Sequence, residues 1–316
     1  MFWNRRPNGI SLLLACQNEE AILPLCINSF RDFADEIIIV DNGSTDGSID
    51  IANEFSRNYS DQIQLLRAPT LTDLSAVRQL GLDQSHFRWI VRGDADFVAY
   101  TDGPFDIHNF RRHLLEQPKF LVPQFFGAVL PNLMCDFWHT GKSRVNTQIG
   151  ANEPGRYVPP PITGPNPRIY EFFPGFCFQR VGRWESTSFS RFIWFFRRKI
   201  DYPLWMHCNI KSDRAYFLRS ERTNWREHGD FNRYPNLMSF ITDRVEIKYG
   251  TKDIDEAADI YMQSNVYPYL ELYDPELYFP YPKLVIEQIE INPIYKINLA
   301  GGRTVRKILS SENNYI

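Results

Sequence analysis

The stretch Arg88–Phe97, RWIVRGDADF, places two aspartates directly after an apolar run. Residues 89–91 have the aromatic and β-branched character of a buried strand, and Gly93 predicts a turn where that strand ends. Asp94 and Asp96 would then stand at the carboxyl end of a strand, the edge at which open α/β sheets bind ligands. Two carboxylates this close repel each other unless a cation lies between them, and Mg²⁺ or Mn²⁺ prefers such oxygen ligands. The stretch therefore predicts a metal and phosphate site, with a solvated acidic turn as the alternative.

The residues before this stretch alternate between strand and helix patterns. Apolar runs predict buried strands at Ile10–Cys16, Glu36–Val40 and Ile63–Leu66. Helical spacing of apolar residues predicts helices over Glu20–Phe33 and Asp73–Leu82, and Ser44 or Thr45 is predicted to cap another helix between them. This β-α-β-α-β-α-β order favours an α/β fold with a Rossmann-like, mostly parallel central sheet flanked by helices.

Composition and charge narrow the class of protein. With 35 Lys and Arg against 38 Asp and Glu, the 316-residue chain has a net charge of −3 and gives no bulk reason to bind nucleic acid. The five cysteines are scattered without a C-x-x-C pair, which argues against a structural zinc site or a disulfide framework. Neither a membrane-spanning apolar run nor a signal-peptide pattern is present, so we expect a soluble, cytoplasmic protein.

The N-terminal region contains four motifs but no glycine-rich loop that would bind phosphate. G-x-G-x-x-G and G-x-x-x-x-G-K-[ST] are both missing, so a metal must take over their work on phosphate. The four motifs occur in the order LLLACQNEE (12–20), EIIIVDNGSTDGS (36–48), SAVRQLGL (75–82) and IVRGDADF (90–97). Together they resemble the nucleotide-sugar half of inverting family-2 glycosyltransferases of GT-A fold. The resemblance implies metal-dependent transfer of a sugar from a nucleoside diphosphate, with UDP expected, to a hydroxyl acceptor of a glycan or lipid-linked glycan, with inversion.

The resemblance assigns roles to residues at the donor end of the sheet. Asp41 matches the acid that accepts a hydrogen bond from the nucleotide base, and Asn42 replaces the more usual second aspartate. Asn18 and Glu19 flank the same edge from the loop after the first strand. Arg78 matches the arginine of the family's A-R-N-x-G-L motif and would lie over ribose or diphosphate, where a guanidinium holds pairs of oxygens.

Glu185 is the predicted general base. The stretch Phe176–Glu185, FCFQRVGRWE, resembles the family's short strand before an acid that is often written H-E, with Trp184 in place of the histidine. Inverting transfer needs one carboxylate near the acceptor hydroxyl, opposite the departing diphosphate. The other carboxylates that remain candidates are Glu171, Asp201 and Asp213.

His207 and Lys211 resemble the histidine and downstream cation that GT-A enzymes place near metal and diphosphate. The resemblance therefore implies that Asp94, Asp96 and His207 hold Mn²⁺ or Mg²⁺, and that Asp94 and Lys211 also contact the donor. A neutral imidazole is a competent ligand for Mn²⁺, and a lysine stabilises a leaving diphosphate. A buried histidine with a structural role is the alternative.

The predicted domain organisation is a GT-A catalytic domain over 1–229 and a C-terminal helical and irregular extension over 230–316. Within the catalytic domain, 1–100 would form the nucleotide-sugar half, and 101–229 the acceptor half with a smaller sheet. Gln148–Pro167, rich in Gly, Pro and Asn, is predicted to be a loop over the site. The extension would pack on the core or make an oligomer contact.

A mixed aromatic and basic stretch raises the question of membrane contact. Phe189–Lys199, FSRFIWFFRRK, is typical of a peripheral surface that rests on anionic membrane, here the cytoplasmic face. A partly buried helix with a solvated basic end is the alternative.

Two other functions fit parts of the pattern. A nucleotidyltransferase shares the sheet and the acids, but it normally has a basic glycine-rich loop where this chain has CQNEE. A catalytically silent glycan-binding module would keep the fold without metal-dependent nucleotide binding.

Overall fold

The computed structural model describes residues 6–69, 73–119, 122–142, 158–181, 184–188, 197–228, 230, 232–291, 294–295 and 306–307. The strands are β1 (Ile10–Cys16), β2 (Glu36–Asp41), β3 (Ile63–Arg67), β4 (Trp89–Asp94), β5 (Phe97–Ala99), β6 (Phe125–Met134), β7 (His139–Gly141), β8 (Ile162–Glu171), β9 (Phe178–Val181), β10 (Trp184–Thr187), β11 (Arg197–Pro203), β12 (Trp205–Asn209), β13 (Leu270–Leu272), β14 (Ile294–Tyr295) and β15 (Arg306–Lys307). The helices are α1 (Leu23–Phe30), α2 (Ser48–Asn58), α3 (Leu74–Asp83), α4 (Ile107–Glu116), α5 (Asp213–His228), α6 (Leu237–Tyr249), α7 (Ile254–Asn265) and α8 (Lys283–Ile291).

The central sheet has the strand order β3-β2-β1-β4-β8-β6-β12-β5, and β11 pairs with β6. Strands β3, β2, β1 and β4 are parallel to one another, as the sequence predicts. The direction changes at β8, which is antiparallel to both β4 and β6. Small sheets form from β9 with β10, β7 with β13 and β14 with β15. The predicted α/β class, with a large sheet and smaller ones, is confirmed.

Helices cover both faces of the parallel half because successive side chains of a strand point to opposite faces. On one face, Leu12 and Leu14 of β1 share a buried cluster with Ile27 and Phe30 of α1. On the other face, Leu13 of β1 belongs to a cluster that includes Val77 and Leu82 of α3 and Ile38 and Val40 of β2. Burying side chains of this size contributes about 1.5–3 kcal/mol each, so the first layer fixes α1 on one face of the sheet and the second fixes α3 on the other.

The chain divides into two compact units that interleave in sequence. The first comprises 1–131, 162–208 and 279–288, and the second comprises 132–161, 209–278 and 289–316. The predicted functional boundary after residue 229 does not follow this division by compactness and stays a prediction. Among the described residues, no helix is long and apolar enough to span a bilayer.

Three local predictions are wrong. Gly93 makes no turn: it lies within β4, and a Cβ there would come within 2.6 Å of Leu14 Cδ2. Neither Ser44 nor Thr45 caps α2, because the helix begins at Ser48 after Gly47. The predicted loop Gln148–Pro167 becomes part of β8 from Ile162 onward, and its earlier residues 148–157 lie outside the described residues.

The strand pair β6–β8 generates a stability prediction. A Cβ at Gly127 of β6 would lie 2.8 Å from the carbonyl carbon of Asn166 and 2.8 Å from the Pro165 oxygen, both backbone atoms of β8. We expect Gly127→Ala to lower the free energy of unfolding by about 1–3 kcal/mol, because the two strands must move apart. Urea unfolding followed by circular dichroism measures this change.

Gly164 of β8 is the matched control, since a Cβ there meets no atom within 4 Å. Gly164→Ala should leave stability unchanged or raise it slightly. Equal effects of the two substitutions would contradict the close approach of the strands.

Candidate active site

The carboxyl ends of β2, β1 and β4 meet at one edge of the sheet. In the parallel register, Asp41 at the end of β2 is opposite Cys16 of β1, and Asp94 at the end of β4 is opposite Ala15. The two acids therefore flank the end of β1, at the edge where ligands bind in sheets of this type.

The loops that follow β1 and β2 are joined by hydrogen bonds. The Asn18 backbone N–H donates to the Ser44 hydroxyl at 3.0 Å, and the Asn18 side-chain oxygen accepts from the Thr45 N–H at 2.8 Å. The Glu19 N–H donates to the Ser48 hydroxyl at 2.7 Å. Asn18 has a φ of 56°, a left-handed conformation that asparagine tolerates better than most residues. Asn18 and Glu19 thus shape the loop beside Asp41.

Asp41 and Asn42 are almost completely buried, with 1% and 7% of their surface exposed. The Asp41 carboxylate accepts the backbone N–H groups of Gly43 at 3.1 Å and Ser44 at 3.2 Å. Gly43 has a φ of 78°, which glycine adopts without a steric penalty. The acid predicted to meet the nucleotide base therefore also holds the turn that carries it.

Arg78 of α3 contacts both Asp94, a predicted metal ligand, and Glu185, the predicted general base. Its guanidinium donates to the Gly93 carbonyl oxygen at 2.7 Å and forms a short ion pair with Asp94. Its Nε lies 2.8 Å from Glu185 Oε1 of β10. Only 2% of the side chain is exposed. Burial alone would lower the pKa of Arg78, but Asp94 and Glu185 raise it above the usual value.

Asp94 is surrounded by arginines. Its Oδ2 accepts from Arg168 Nη1 of β8 at 2.9 Å, in addition to the pair with Arg78. Burial would raise the pKa of Asp94, but Arg78, Arg168 and Arg92 together lower it well below its usual range. Asp94 is therefore a carboxylate at all physiological pH values, held by cations of the protein.

Arg92 and Arg168 are site residues that the sequence analysis did not assign. Arg92 Nη1 lies 3.3 Å from Glu185 Oε1, and the Arg168 guanidinium lies 4.7 Å from the centre of the Phe97 ring. Burial and repulsion by Arg92 lower the pKa of Arg168 to about 10, and the repulsion exceeds the attraction by Asp94. Arg92 could have been found from its place two residues before Asp94, on the same strand face.

Asp96 and His207 lie together. His207 Nε2 is 3.2 Å from Asp96 Oδ2, and the imidazole packs edge-on against Phe97. The contact arises because β12 pairs with β5, with His207 opposite Phe97. Two of the three predicted metal ligands thus meet, whereas Asp94 is directed to Arg78 and Arg168. Within the described ranges, no three His, Cys, Asp or Glu side chains form a metal-binding group.

The candidates for the general base occupy different surroundings. Glu185 lies in the β9–β10 hairpin beside Arg78 and Arg92, with 13% of its side chain exposed. Glu171 has no exposed surface, pairs with Arg88 at 2.8 Å and accepts the Gln124 backbone N–H at 3.1 Å, so it stabilises the sheet. Asp201 lies on β11, and the Trp184 side chain lies outside the described part of the chain.

Lys211 and Asp213 belong to the second compact unit. Asp213 opens α5, where its carboxylate accepts a hydrogen bond from the Tyr267 hydroxyl. The predicted role of Lys211 at the diphosphate stays a prediction.

Comparison with known protein families shows that the N-terminal region of the sequence matches one of them. Residues 11–104 match the model of the family described as glycosyl transferase family 2. The predicted resemblance to family-2 glycosyltransferases is confirmed for the N-terminal region. The predicted enzyme class, a glycosyltransferase, is thereby confirmed. The matched segment contains the hydrogen-bonded loops that follow β1 and β2, together with Asp41, Arg78, Asp94 and Asp96.

Relatives extend this similarity to different lengths. EpsE of Bacillus subtilis (strain 168), named as a glycosyltransferase, is 26% identical over 211 residues, which cover 67% of this chain and 68% of the relative. The poly-beta-1,6-N-acetyl-D-glucosamine synthase of Staphylococcus epidermidis is 30% identical over 114 residues, 35% of this chain but only 27% of the synthase. A solved structure of S. aureus TarS residues 1–349 with UDP-GlcNAc is 12% identical, covers 81% of this chain and 91% of that chain, and has a TM-score of 0.39.

The lowered pKa of Asp94 predicts a pH-dependent effect of its removal. Its charge stabilises the folded state above the unfolded-state pKa of about 4, and this contribution is lost as the pH falls below that value toward the lower folded-state pKa. Asp94→Asn should therefore lower the free energy of unfolding more at pH 7 than at pH 3. Urea titrations of both proteins at several pH values give this difference.

Asp61→Asn, at an exposed aspartate outside the site, is the control and should change stability little. A difference between wild type and Asp94→Asn that stays constant from pH 7 to pH 3 would show that the arginines do not hold the Asp94 charge.

Proposed function

We propose that this family-2 glycosyltransferase moves a sugar from a nucleoside-diphosphate donor, with UDP as the expected nucleotide, to a hydroxyl of a glycan or lipid-linked glycan, with inversion. The observation that carries the proposal is the meeting of Asp41, Asp94 and Arg78 at one carboxyl edge of the sheet, with Asp96 against His207 beyond β4. The name of one relative, a poly-N-acetylglucosamine synthase, supports a polymer of sugars as the class of product.

The nucleoside would lie across the ends of β2 and β1. Asp41 and Asn42 lie there, and the hydrogen bonds between the loops after β1 and β2 bring Asn18 and Glu19 beside them. A buried carboxylate whose turn is already held by two backbone N–H groups is fixed before the ligand arrives. Such preorganisation reduces the entropy lost on binding.

Asp96 and His207 fit a divalent cation. Mg²⁺ and Mn²⁺ are commonly bound by one or two protein carboxylates with the substrate phosphates and water completing the shell, so a full protein cage is not required. Carboxylate and imidazole are both suitable donors for Mn²⁺. Asp94, the third predicted ligand, lies two residues from Asp96 but is held by arginines. When bound, the ion would supply positive charge that neutralises the departing diphosphate.

Cationic side chains of the protein would also stabilise the negative charge of the departing diphosphate. Arg78, Arg92 and Arg168 gather at the end of β4, and Lys211 is the predicted fourth cation. Fixed cations in a partly buried site stabilise negative charge that develops on a leaving group. Glu185 would accept the proton of the acceptor hydroxyl, a role for which it must give up part of its contact with Arg78 and Arg92.

The acceptor is proposed from the sequence. Most of the aromatic and basic stretch Phe189–Lys199 lies outside the described residues, and the structure describes it only from Arg197, where β11 begins. Peripheral contact with a membrane that carries a lipid-linked acceptor stays part of the proposal. Its test is sedimentation of the protein with anionic vesicles.

Removing Asp96 should affect the binding step. We expect Asp96→Ala to weaken metal-dependent binding of UDP by about tenfold or more, because a ligand oxygen is lost. Calorimetric titration of UDP with and without Mn²⁺ measures the effect, and hydrolysis of a labelled nucleotide sugar should disappear in parallel. Asp102→Ala, at an exposed aspartate, is the control. Manganese-dependent binding that survives in Asp96→Ala would place the metal elsewhere.

Removing the charge of Glu185 should affect chemistry. Glu185→Gln keeps the size of the side chain but cannot accept the proton, so transfer should fall by roughly two to four orders of magnitude. Donor affinity should not weaken. Single-turnover transfer and donor titration separate the two effects. Transfer at near wild-type rate would assign the base to another residue, and Asp213 is the next candidate.

A further inference from the structure

Five charged side chains at the end of β4 alternate in sign. They run in the order Arg168, Asp94, Arg78, Glu185 and Arg92, each in an ion pair with the next. Three guanidinium groups against two carboxylates leave one positive charge in excess, and both ends of the series are cations. Arg78, in the middle, is buried, whereas 18% of Arg92 and 17% of Arg168 are exposed, so a ligand can reach the ends.

The two end residues lie on neighbouring strands. In the antiparallel register of β4 and β8, Val91 is opposite Ile169, and Arg92 and Arg168 are the next residue on each strand. The charges of the two arginines repel each other. Like charges directly across a pair of strands destabilise the pair. For stability of the sheet alone, a negatively charged residue in place of Arg92 or Arg168 would be more favourable.

Within the described part of the chain, Arg92 and Arg168 use few of their hydrogen-bond donors. A guanidinium carries five N–H donors, and Arg92 makes one long contact of 3.3 Å to Glu185. Its Nε is buried and has no hydrogen-bond partner among the described residues. Arg168 donates from Nη1 to Asp94, and the central carbon of its guanidinium lies over the Phe97 ring. Guanidinium groups held in this way match the paired oxygens of phosphate or carboxylate.

The location of the pair relates it to the reaction. Strand β4 ends the parallel half that carries the nucleotide motifs, and β8 is the first antiparallel strand beyond it. A group bound between Arg92 and Arg168 would therefore lie at the junction of these two parts of the sheet, next to Glu185.

We propose that Arg92 and Arg168 bind an anionic oxygen group of the substrate, a phosphate or a carboxylate, and that Glu185 competes with this group for Arg92. The inference deepens the proposed function and rests on it for the nature of the substrate. The anion lies between the two positively charged arginines. Its contact with Arg92 weakens the ion pair between Arg92 and Glu185. Binding of the charged group and release of the base are then coupled.

Binding measurements without metal test this site. Wild type, Arg92→Met and Arg168→Met are titrated in EDTA with UDP and uridine by calorimetry, and with glucuronate, glucose 6-phosphate and glucose by ligand-observed NMR. We expect both variants to bind at least one anionic probe about tenfold more weakly, as lost hydrogen bonds to a charged group imply. Uridine and glucose should bind as to wild type, and Arg57→Met, at an exposed arginine of α2, should change nothing.

The pattern of losses identifies the source of the charge. A loss for UDP alone assigns the site to the donor diphosphate, whereas a loss for glucuronate or glucose 6-phosphate assigns it to a charged sugar or acceptor. Wild-type affinity of both methionine variants for every anionic probe would overturn the proposal, as would equal losses for the neutral probes.

Two further variants keep the test valid if the methionine variants fail to fold. Arg92→Lys keeps the charge and should retain more anion affinity than Arg92→Met. Glu185→Gln removes the competitor and should tighten binding of the same anion severalfold, an effect that a merely structural role would not produce. Unchanged affinity in Glu185→Gln would contradict the competition. Anion binding of this kind in a protein that transfers no sugar would refute the proposed function and leave the anion site intact.

Discussion

The site depends on the contacts of one buried group, the guanidinium of Arg78. It joins helix α3 to the end of β4 and to the β9–β10 hairpin through Asp94, Gly93 and Glu185. A charge with only 2% of its side chain exposed is tolerable because carboxylates and a carbonyl surround it. Loss of one partner of a buried pair typically costs about 3–5 kcal/mol, since the remaining charge stays uncompensated. The position of α3 and the protonation state of Asp94 therefore have a common cause.

The arginines at the end of β4 also determine which groups Asp94 and Glu185 can contact. The arginines that keep Asp94 ionised also occupy its oxygens, and the arginines that we propose stabilise a diphosphate also attract Glu185. If Glu185 is the base, as we propose, such a site would hold it in an ion pair with arginine until a substrate arrives. Asp96 stands apart from this series, against His207, and is the acid with a suitable partner for a metal ion. The two aspartates of RWIVRGDADF thus have different surroundings although one residue separates them.

The parallel half of the fold could be predicted because its signals are local. Continuous apolar runs defined β1 and β2, and Asp73 caps α3 by accepting the Ser75 N–H. The end of β4 and its two acids followed from the same pattern. By contrast, β8 was missed because its prolines are typical of loops. In the structure, its pairing with β6 shifts register next to Pro167, which lies opposite Gly127 but has no N–H to donate to the ladder.

The contents of the site were only partly predictable. Asp41, Arg78 and Asp94 were found through motifs that lie close together in sequence. Arg168 is 74 residues from Asp94, and its contact depends on the antiparallel register of β8, which no local pattern reveals. Glu171 illustrates the converse: as a lone acid it was a candidate base, but its pairing with Arg88, distant in sequence, makes it structural.

We propose that the carboxyl edge of β2, β1 and β4 binds the nucleoside diphosphate of the donor. A crystal structure of the protein with UDP and Mn²⁺ tests it most directly. We expect the uracil beside Asp41 and Asn42, the diphosphate near Arg78, and the metal on Asp96 and His207. A nucleotide bound away from this edge, or a metal bound without Asp96, would contradict the claim.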